Sequence, residues 1–227
     1  MQKHIDLKSL TQKQHELAGQ VVLQSRYRPG DIRTVAGMDV HFFPGSEDRF
    51  VAAGSLFSYP DLALIETVAV KGKLEKPFPY IPGYLSFREV PALLRVIGSF
   101  KQKPDVLLCD GQGIAHPRRI GLAAHLGVLT GMPAVGCAKS HLYGAFDEPP
   151  PGVKGAYQFL KDTDGDILGV VLRTRPYVQP LFVSPGHLVD VETASDIILC
   201  SCKKYRIPEP LRLAHTACVN ALKIKAR

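Results

Sequence analysis

Between Thr34 and Lys73 the chain carries three strand-like runs with room only for short turns between them. In the first, Thr34 to Phe43, Ala36, Met38, Val40 and Phe42 fall on one face and Val35, Gly37, Asp39 and His41 on the other. A period of two is the mark of a β-strand. Arg49 to Tyr59 and Leu62 to Lys73 are the second and third runs, and turns such as Pro44-Gly45 join them. Connections this short bring only antiparallel strands side by side, because a parallel return needs a crossover. The chain therefore opens its sheet as a meander.

Helices and strands then alternate. A helix is expected from about Ser86 to Phe100, a buried strand at Asp105 to Cys109, a helix at Pro117 to Leu129 and a second buried strand at Pro133 to Lys139. Proline suits the first turn of a helix, so Pro117 marks a start. Glu148 to Gly152 reads as a stiff loop, Ala156 to Val183 holds two or three strands, and Val191 to Lys204 and Glu209 to Lys225 read as closing helices. Before the meander, Leu7 to Arg28 reads as an amphipathic helix closed by Pro29-Gly30. The fold class is α/β: a mixed sheet of three antiparallel strands, then alternating helix and strand, flanked by helices. That order matches a ribonuclease H-like fold. No repeat or long linker divides the chain, so residues 1–227 are expected to form a single domain.

Composition narrows the setting. With 45% hydrophobic and 22% charged residues the chain is not of a disordered class. Ile120 to Ala138 carries no formal charge, but Gly131-Met132-Pro133 breaks it, so it reads as helix, turn and buried strand rather than a membrane span. The start, "MQKHIDLKSLTQKQ", lacks an apolar signal region. None of the five cysteines forms a Cys-x-x-Cys pair, which points to a reducing compartment; a cytoplasmic, bacterial-type monomer is expected. The net charge of +7 favours an anionic partner such as nucleic acid.

Several polar residues sit where chemistry could be done. Asp39 lies mid-strand, where aspartate is disfavoured, and reads either as a solvated residue or as a site acid. Asp110 ends the apolar run "DVLLCDGQG", at the carboxyl end of a strand, and reads as a site acid or an Asp-Gly turn. If the first and fourth strands are neighbours, the two carboxylates meet, and a cation between them relieves their repulsion. Magnesium suits such a place, because it takes oxygen ligands and keeps waters for a phosphate. Glu89 could add a third acid, or serve in a Ser86-x-x-Glu89 capping box, though Pro91 fits a helix start nearer Glu89 better. "His116-Pro117-Arg118-Arg119" puts cations in an expected first helical turn, either solvated or set to hold a phosphate. Lys139 ends the next strand and could steady developing charge. Gly111 and Gly113 lack the third glycine of a dinucleotide site. The stretch "PFPYIPGYLSFREV" holds prolines at Pro79 and Pro82 around a tip, Tyr80-Ile81; Phe78, Tyr84 and Phe87 are expected to fold back on the core.

"VAGMDVHF" (Val35 to Phe42), "PYIPGYLSFRE" (Pro79 to Glu89), "DGQGIAHPRRIGLAAHLGV" (Asp110 to Val128), "GCAKSHL" (Gly136 to Leu142), "SPGH" (Ser184 to His187) and "PEPLRLAH" (Pro208 to His215) resemble, in order, the motifs of the endonuclease V family. The resemblance implies Mg²⁺-dependent hydrolysis, with Mn²⁺ able to substitute, of the second phosphodiester bond 3′ to a deaminated base, chiefly hypoxanthine in DNA. The ends left are 3′-hydroxyl and 5′-phosphate. By motif, Asp39 and Asp110 resemble the metal ligands, Glu89 the third catalytic acid, and Lys139 and His215 supporting catalytic residues. Tyr80, Ile81, Pro82 and Gly83 resemble a strand-separating wedge; Gly111, Gly113, His116 and Arg118 are further expected DNA contacts, with amides of "GQGIAH" reading the flipped base. Gly186, His187 and Arg212 are placed near DNA by motif alone. The implied partner is DNA containing deoxyinosine, or inosine RNA. The alternatives are an inosine-specific ribonuclease, another nuclease of the same fold, and a non-catalytic nucleic-acid-binding protein.

Overall fold

A computed structural model of the chain describes residues 5–28 and 30–223. The elements run α1 (Leu7–Ala18), β1 (Thr34–Phe42), β2 (Arg49–Ser58), β3 (Leu64–Lys73), α2 (Leu85–Ile97), β4 (Val106–Cys109), α3 (Leu122–Thr130), β5 (Ala134–Ala138), β6 (Tyr157–Lys161), β7 (Ile167–Leu172), β8 (Leu181–His187), α4 (Val191–Ser201) and α5 (Glu209–Lys223). All eight strands join one sheet in the order β3-β2-β1-β4-β5-β8-β7-β6. β1, β4 and β5 run parallel at its centre, and antiparallel pairs build out both sides. None of the described helices is long and apolar enough to cross a membrane.

Alternation along the central strands feeds two cores. Ala36, Met38, Leu107 and Cys109 meet Val90, Leu93 and Val96 of α2 and Leu126 of α3 on one face. Val35, Val106 and Leu108 meet Ile197 and Ile198 of α4 and Leu211 of α5 on the other. β4 is buried on both faces, so it reads as an unbroken apolar run. α5 lies so close to β1 that a Cβ on Gly37 would stand 2.1 Å from the carbonyl carbon of Pro210. A side chain there would push the helix away, and with it everything α5 presents to the site.

The meander, the central alternation and the helix-turn-strand reading of residues 120–138 hold, and residues 156–187 supply three strands. Other boundaries differ for physical reasons. α1 stops at Ala18 with Gly19 as its cap. The backbone beyond it pairs with residue 188 instead, Leu188 N–H to Val22 O at 2.7 Å and Arg26 N–H to Leu188 O at 3.0 Å. The expected closing residue Pro29 lies outside the described residues, as does Lys225, the expected end of α5. α2 starts at Leu85 with no side-chain cap, so the Ser86–Glu89 capping box does not form. The Ser86 hydroxyl instead pairs with His125 Nδ1 at 3.0 Å. Pro91 sits inside α2, where it removes one helix hydrogen bond. α3 starts at Leu122, not Pro117, and Arg119 takes a left-handed φ of 56° before it. Arg118 and Arg119 therefore stand in a turn rather than a helix's first turn.

Candidate active site

β1 and β4 are hydrogen-bonded neighbours with Met38 opposite Cys109. The next residue on each strand is an acid, so Asp39 and Asp110 emerge at one level from adjoining parallel strands. Asp39 is only 9% exposed. Its Oδ1 accepts the Val40 amide at 2.9 Å. Its Oδ2 lies 3.1 Å from His41 Nε2 and 3.0 Å from Nδ1 of His215 on α5, and the two ring nitrogens are 3.2 Å apart. The hydrogen bond to Asp39 raises the His41 pKa against the opposing effect of burial. Asp110 is ion-paired with Lys139, which directly follows β5. Arg206 holds that corner by donating to Lys139 O at 3.0 Å and Pro180 O at 2.8 Å.

Glu89 comes to the same place from α2. Burial, then the charges of Asp39 and Asp110, push its carboxyl up to about 8. That shift has a plain meaning: three carboxyl groups share one poorly solvated corner, and one of them keeps its proton. The donor set is hard oxygen, and a dication among these groups would relieve the repulsion, so the residues fit magnesium or manganese.

A pocket of about 220 Å³ opens beside the acids, with Tyr80, Gly83, Glu89, Asp110, Gly111 and Leu142 in its wall. The tip of the preceding loop is free: Tyr80 is 66% exposed. Its base is pinned. The Gly83 carbonyl accepts from Gln14 Nε2 at 2.8 Å, His116 Nε2 at 3.1 Å and Arg118 NH2 at 2.7 Å. Gly83 adopts φ 79°, which glycine tolerates best. Arg118 also donates to Gln14 Oε1 and lies 4.5 Å from the centre of the Tyr84 ring. The Tyr84 hydroxyl meets Thr11 Oγ1 at 2.7 Å. Phe78 and Phe87 stack at 6.4 Å and fold inward as expected.

The structure thus brings Asp39, Glu89, Asp110, Lys139 and His215 together and sets Tyr80, Ile81, Pro82 and Gly83 beside them. It gives other residues different settings. Arg118 and His116 are tied to the loop; Arg118 is half-buried, His116 is 4% exposed, and burial with Arg118 beside it lowers the His116 pKa to about 4. The Gly111 amide donates to Cys109 O at 2.9 Å, Gly113 to Ser184 Oγ at 2.7 Å and Ile114 to Pro185 O at 2.8 Å. Those amides are committed, so they do not stand ready to read a base. Gly113 serves close packing instead: a Cβ there would meet Pro185 O at 2.1 Å. His187 pairs with Ala134, at the other end of β5 from Lys139, and its Nδ1 accepts the Val22 amide at 3.2 Å. Sequence reasoning passed over His41, Gln14 and Arg206. For His41 the signal was present, two residues beyond Asp39 on one strand face; Gln14 and Arg206 act across the chain and leave no local mark.

A mixed sheet with acids at one level on adjoining parallel strands, a third acid on the covering helix and a lysine beside them defines a phosphodiester-cleaving enzyme of the ribonuclease H-like class. The sequence profile of endonuclease V matches residues 15–216. A Roseiflexus relative, endonuclease V, is 48% identical over 185 residues, 82% of this chain and 80% of its own. Endonuclease V of Streptomyces avermitilis superposes with a TM-score of 0.89 at 37% identity, covering 97% of this chain and 94% of its own. Ciona intestinalis endonuclease V, solved with a 24mer DNA containing an inosine followed by a ribo-adenosine, gives 0.85 at 30% identity, covering 96% and 98%. The chain belongs to the endonuclease V family.

Proposed function

We propose that this chain is a divalent-metal-dependent DNA repair endonuclease that nicks the second phosphodiester bond 3′ to deoxyinosine, leaving a 3′-hydroxyl and a 5′-phosphate. Residues 1–227 act as one domain, as a cytoplasmic monomer. The observation that carries this reading is the meeting of Asp39, Glu89 and Asp110 beneath a pocket whose wall also carries Tyr80 and Gly83. The inosine-containing DNA in the Ciona complex supports the substrate.

Asp39 and Asp110 hold Mg²⁺, or Mn²⁺ in its place. A dication held there would supply Lewis acidity, lowering the pKa of a water and offsetting charge on the phosphate. Glu89, which α2 brings to the same corner as Asp39 and Asp110, exchanges a proton with the attacking water. Lys139, held against Asp110, lends positive charge where the phosphate oxygens gather. His215 orients Asp39 through their 3.0 Å contact. Tyr80 and Ile81 enter the base stack from a loop whose base is fixed, so little is left to order on binding. The displaced base occupies the pocket at Gly111 and Leu142.

The test is a magnesium-dependent nicking assay on duplexes that differ only in inosine or adenine, with inosine RNA in parallel. Inosine DNA should be cut and adenine DNA left intact, and Asp110→Ala should slow cutting by about 100-fold or more while binding persists. Equal cleavage of both duplexes, or full activity in Asp110→Ala, would overturn the reading.

A further inference from the structure

We infer that the turn between β7 and β8, with Arg175 and Tyr177 at its tip, is a second contact for the duplex, on the 3′ flank of the cut. The inference rests on the nuclease reading, which supplies the register. Pairing of Leu172 with Leu181 and of Ala138 with Phe182 brings this turn to the end of the sheet where Lys139 and Asp110 stand. Its β8 side, at the Pro180 carbonyl, shares the Arg206 guanidinium with the Lys139 carbonyl. In the order β4-β5-β8-β7 the turn lies between two and three strand spacings from Asp110, about 10–14 Å. One strand of a duplex advances about 3.4 Å per step, so the turn meets the backbone about three or four steps from the acids. The direction follows from the two faces of the sheet. The Tyr80 loop leads into α2, on one face. Thr174 Oγ1 donates to Arg206 O at 2.7 Å, which ties the turn to the α4–α5 connection on the other. A strand passing from a lesion at Tyr80 across the acids leaves toward the turn, and since the cut is 3′ of the lesion, that is the 3′ flank.

The tip is built to stay open. Among the described residues Tyr177 is the most exposed large hydrophobic side chain, at 82%, ahead of Tyr80 at the proposed wedge. It holds a left-handed φ of 58°, where glycine or asparagine would be at ease. The fold enforces that shape: the Tyr177 amide donates to Pro151 O at 2.7 Å. Arg173, 6% exposed, donates to Val178 O and, at 2.9 Å, to Pro149 O, and faces Glu148 at 3.5 Å. A buried arginine thus braces two loops against each other, as Arg118 braces the Tyr80 loop, and it offsets the nearby acid. A Cβ on Gly152 would stand 3.1 Å from the Tyr177 hydroxyl oxygen, so the loop behind the ring is kept small. Arg175 is exposed beside it, as are Lys203 and Lys204 in the α4–α5 connection. Guanidinium and phenol hydroxyl both donate to phosphate oxygens, and the ring can lie on a sugar. Such contacts fix where a duplex sits and carry no sequence preference.

The experiment measures binding by fluorescence anisotropy in magnesium, with full-length Asp110→Ala as the parent so that the DNA stays whole. Inosine duplexes carry either about ten base pairs or only about two beyond the bond to be cut, on its 3′ side. On the long duplex Arg175→Ala should lower the slope of log affinity against log salt by about 0.9, and Arg175→Lys should restore it. Tyr177→Ala should weaken binding to the long duplex about three- to ten-fold. On the short duplex neither alanine variant should differ from the parent. An unchanged salt slope in Arg175→Ala, an unchanged affinity in Tyr177→Ala, or losses as large on the short duplex would overturn the inference. None of these readouts depends on nicking. A flank contact found this way in a protein whose wild type spares inosine DNA would fault the proposed function and leave the contact standing.

Discussion

Glu89 holds a proton that an exposed glutamate would lose, because it is sunk beside Asp39 and Asp110. Its pKa is about 8 in the folded, metal-free chain and about 4.5 when unfolded. Between those values the folded state binds more protons than the unfolded one, so stability falls as pH rises. The effect is complete above about pH 8 and amounts to up to about 5 kcal/mol. Glu89→Gln removes the ionisation. Without metal its Tm should exceed that of the wild type at pH 8 and converge with it near pH 4; equal melting curves at pH 8 would contradict this account. Activity should move the other way, because a side-chain amide at this position cannot carry the proton. Stability gained with function lost separates a working acid from a merely buried one.

At the level of single elements, the loop from Tyr80 to Tyr84 and helix α5 show how placement is enforced. Three donors converge on the Gly83 carbonyl, and one is Arg118. Arg118→Ala should cost about 2 kcal/mol, a Tm drop on the order of 5 °C, through lost hydrogen bonds and lost packing on Tyr84. A Tm within about 1 °C of wild type would mean the clamp adds nothing. Gly37→Ala should cost about 3 kcal/mol or more, because its methyl group meets the Pro210 backbone. Nicking should fall with it, since α5 carries His215; differential scanning calorimetry and the inosine assay check the two halves. Much of this was legible beforehand. Asp39 and Asp110 stood out because strand alternation and an apolar run expose a misplaced acid. The start of α3 did not, because Pro117 obeys a local preference while the real constraint is tertiary. Gly121 must pass so close to the Gln112 carbonyl that a Cβ would lie 2.4 Å from it, and the chain turns there before the helix begins. Arg118 was read as a phosphate ligand for the same reason: nothing near it in sequence announces Gln14 or Gly83.

Across the whole molecule, a charge of +7 supplies attraction without sequence preference. Release of counterions from even two contacted phosphates would weaken binding about ten-fold between 50 and 200 mM salt. Fluorescence anisotropy on an inosine duplex should show at least that loss, and an affinity indifferent to salt would deny a phosphate-tracking surface. The sheet that carries the acids runs through the middle of the chain, yet the loop proposed to open the duplex is tied to α1 near its beginning. Gln14 is fully buried and reaches Gly83 across 69 residues of sequence. The loop therefore inherits the fate of the first helix. Heat, a protease or a bulky amino-terminal fusion that lifts residues 7–18 would unseat the tip while the carboxylates stay in register. Such a protein would still hold its ion and would no longer find the lesion. On the proposed division of labour, damage search and bond cleavage would then fail separately.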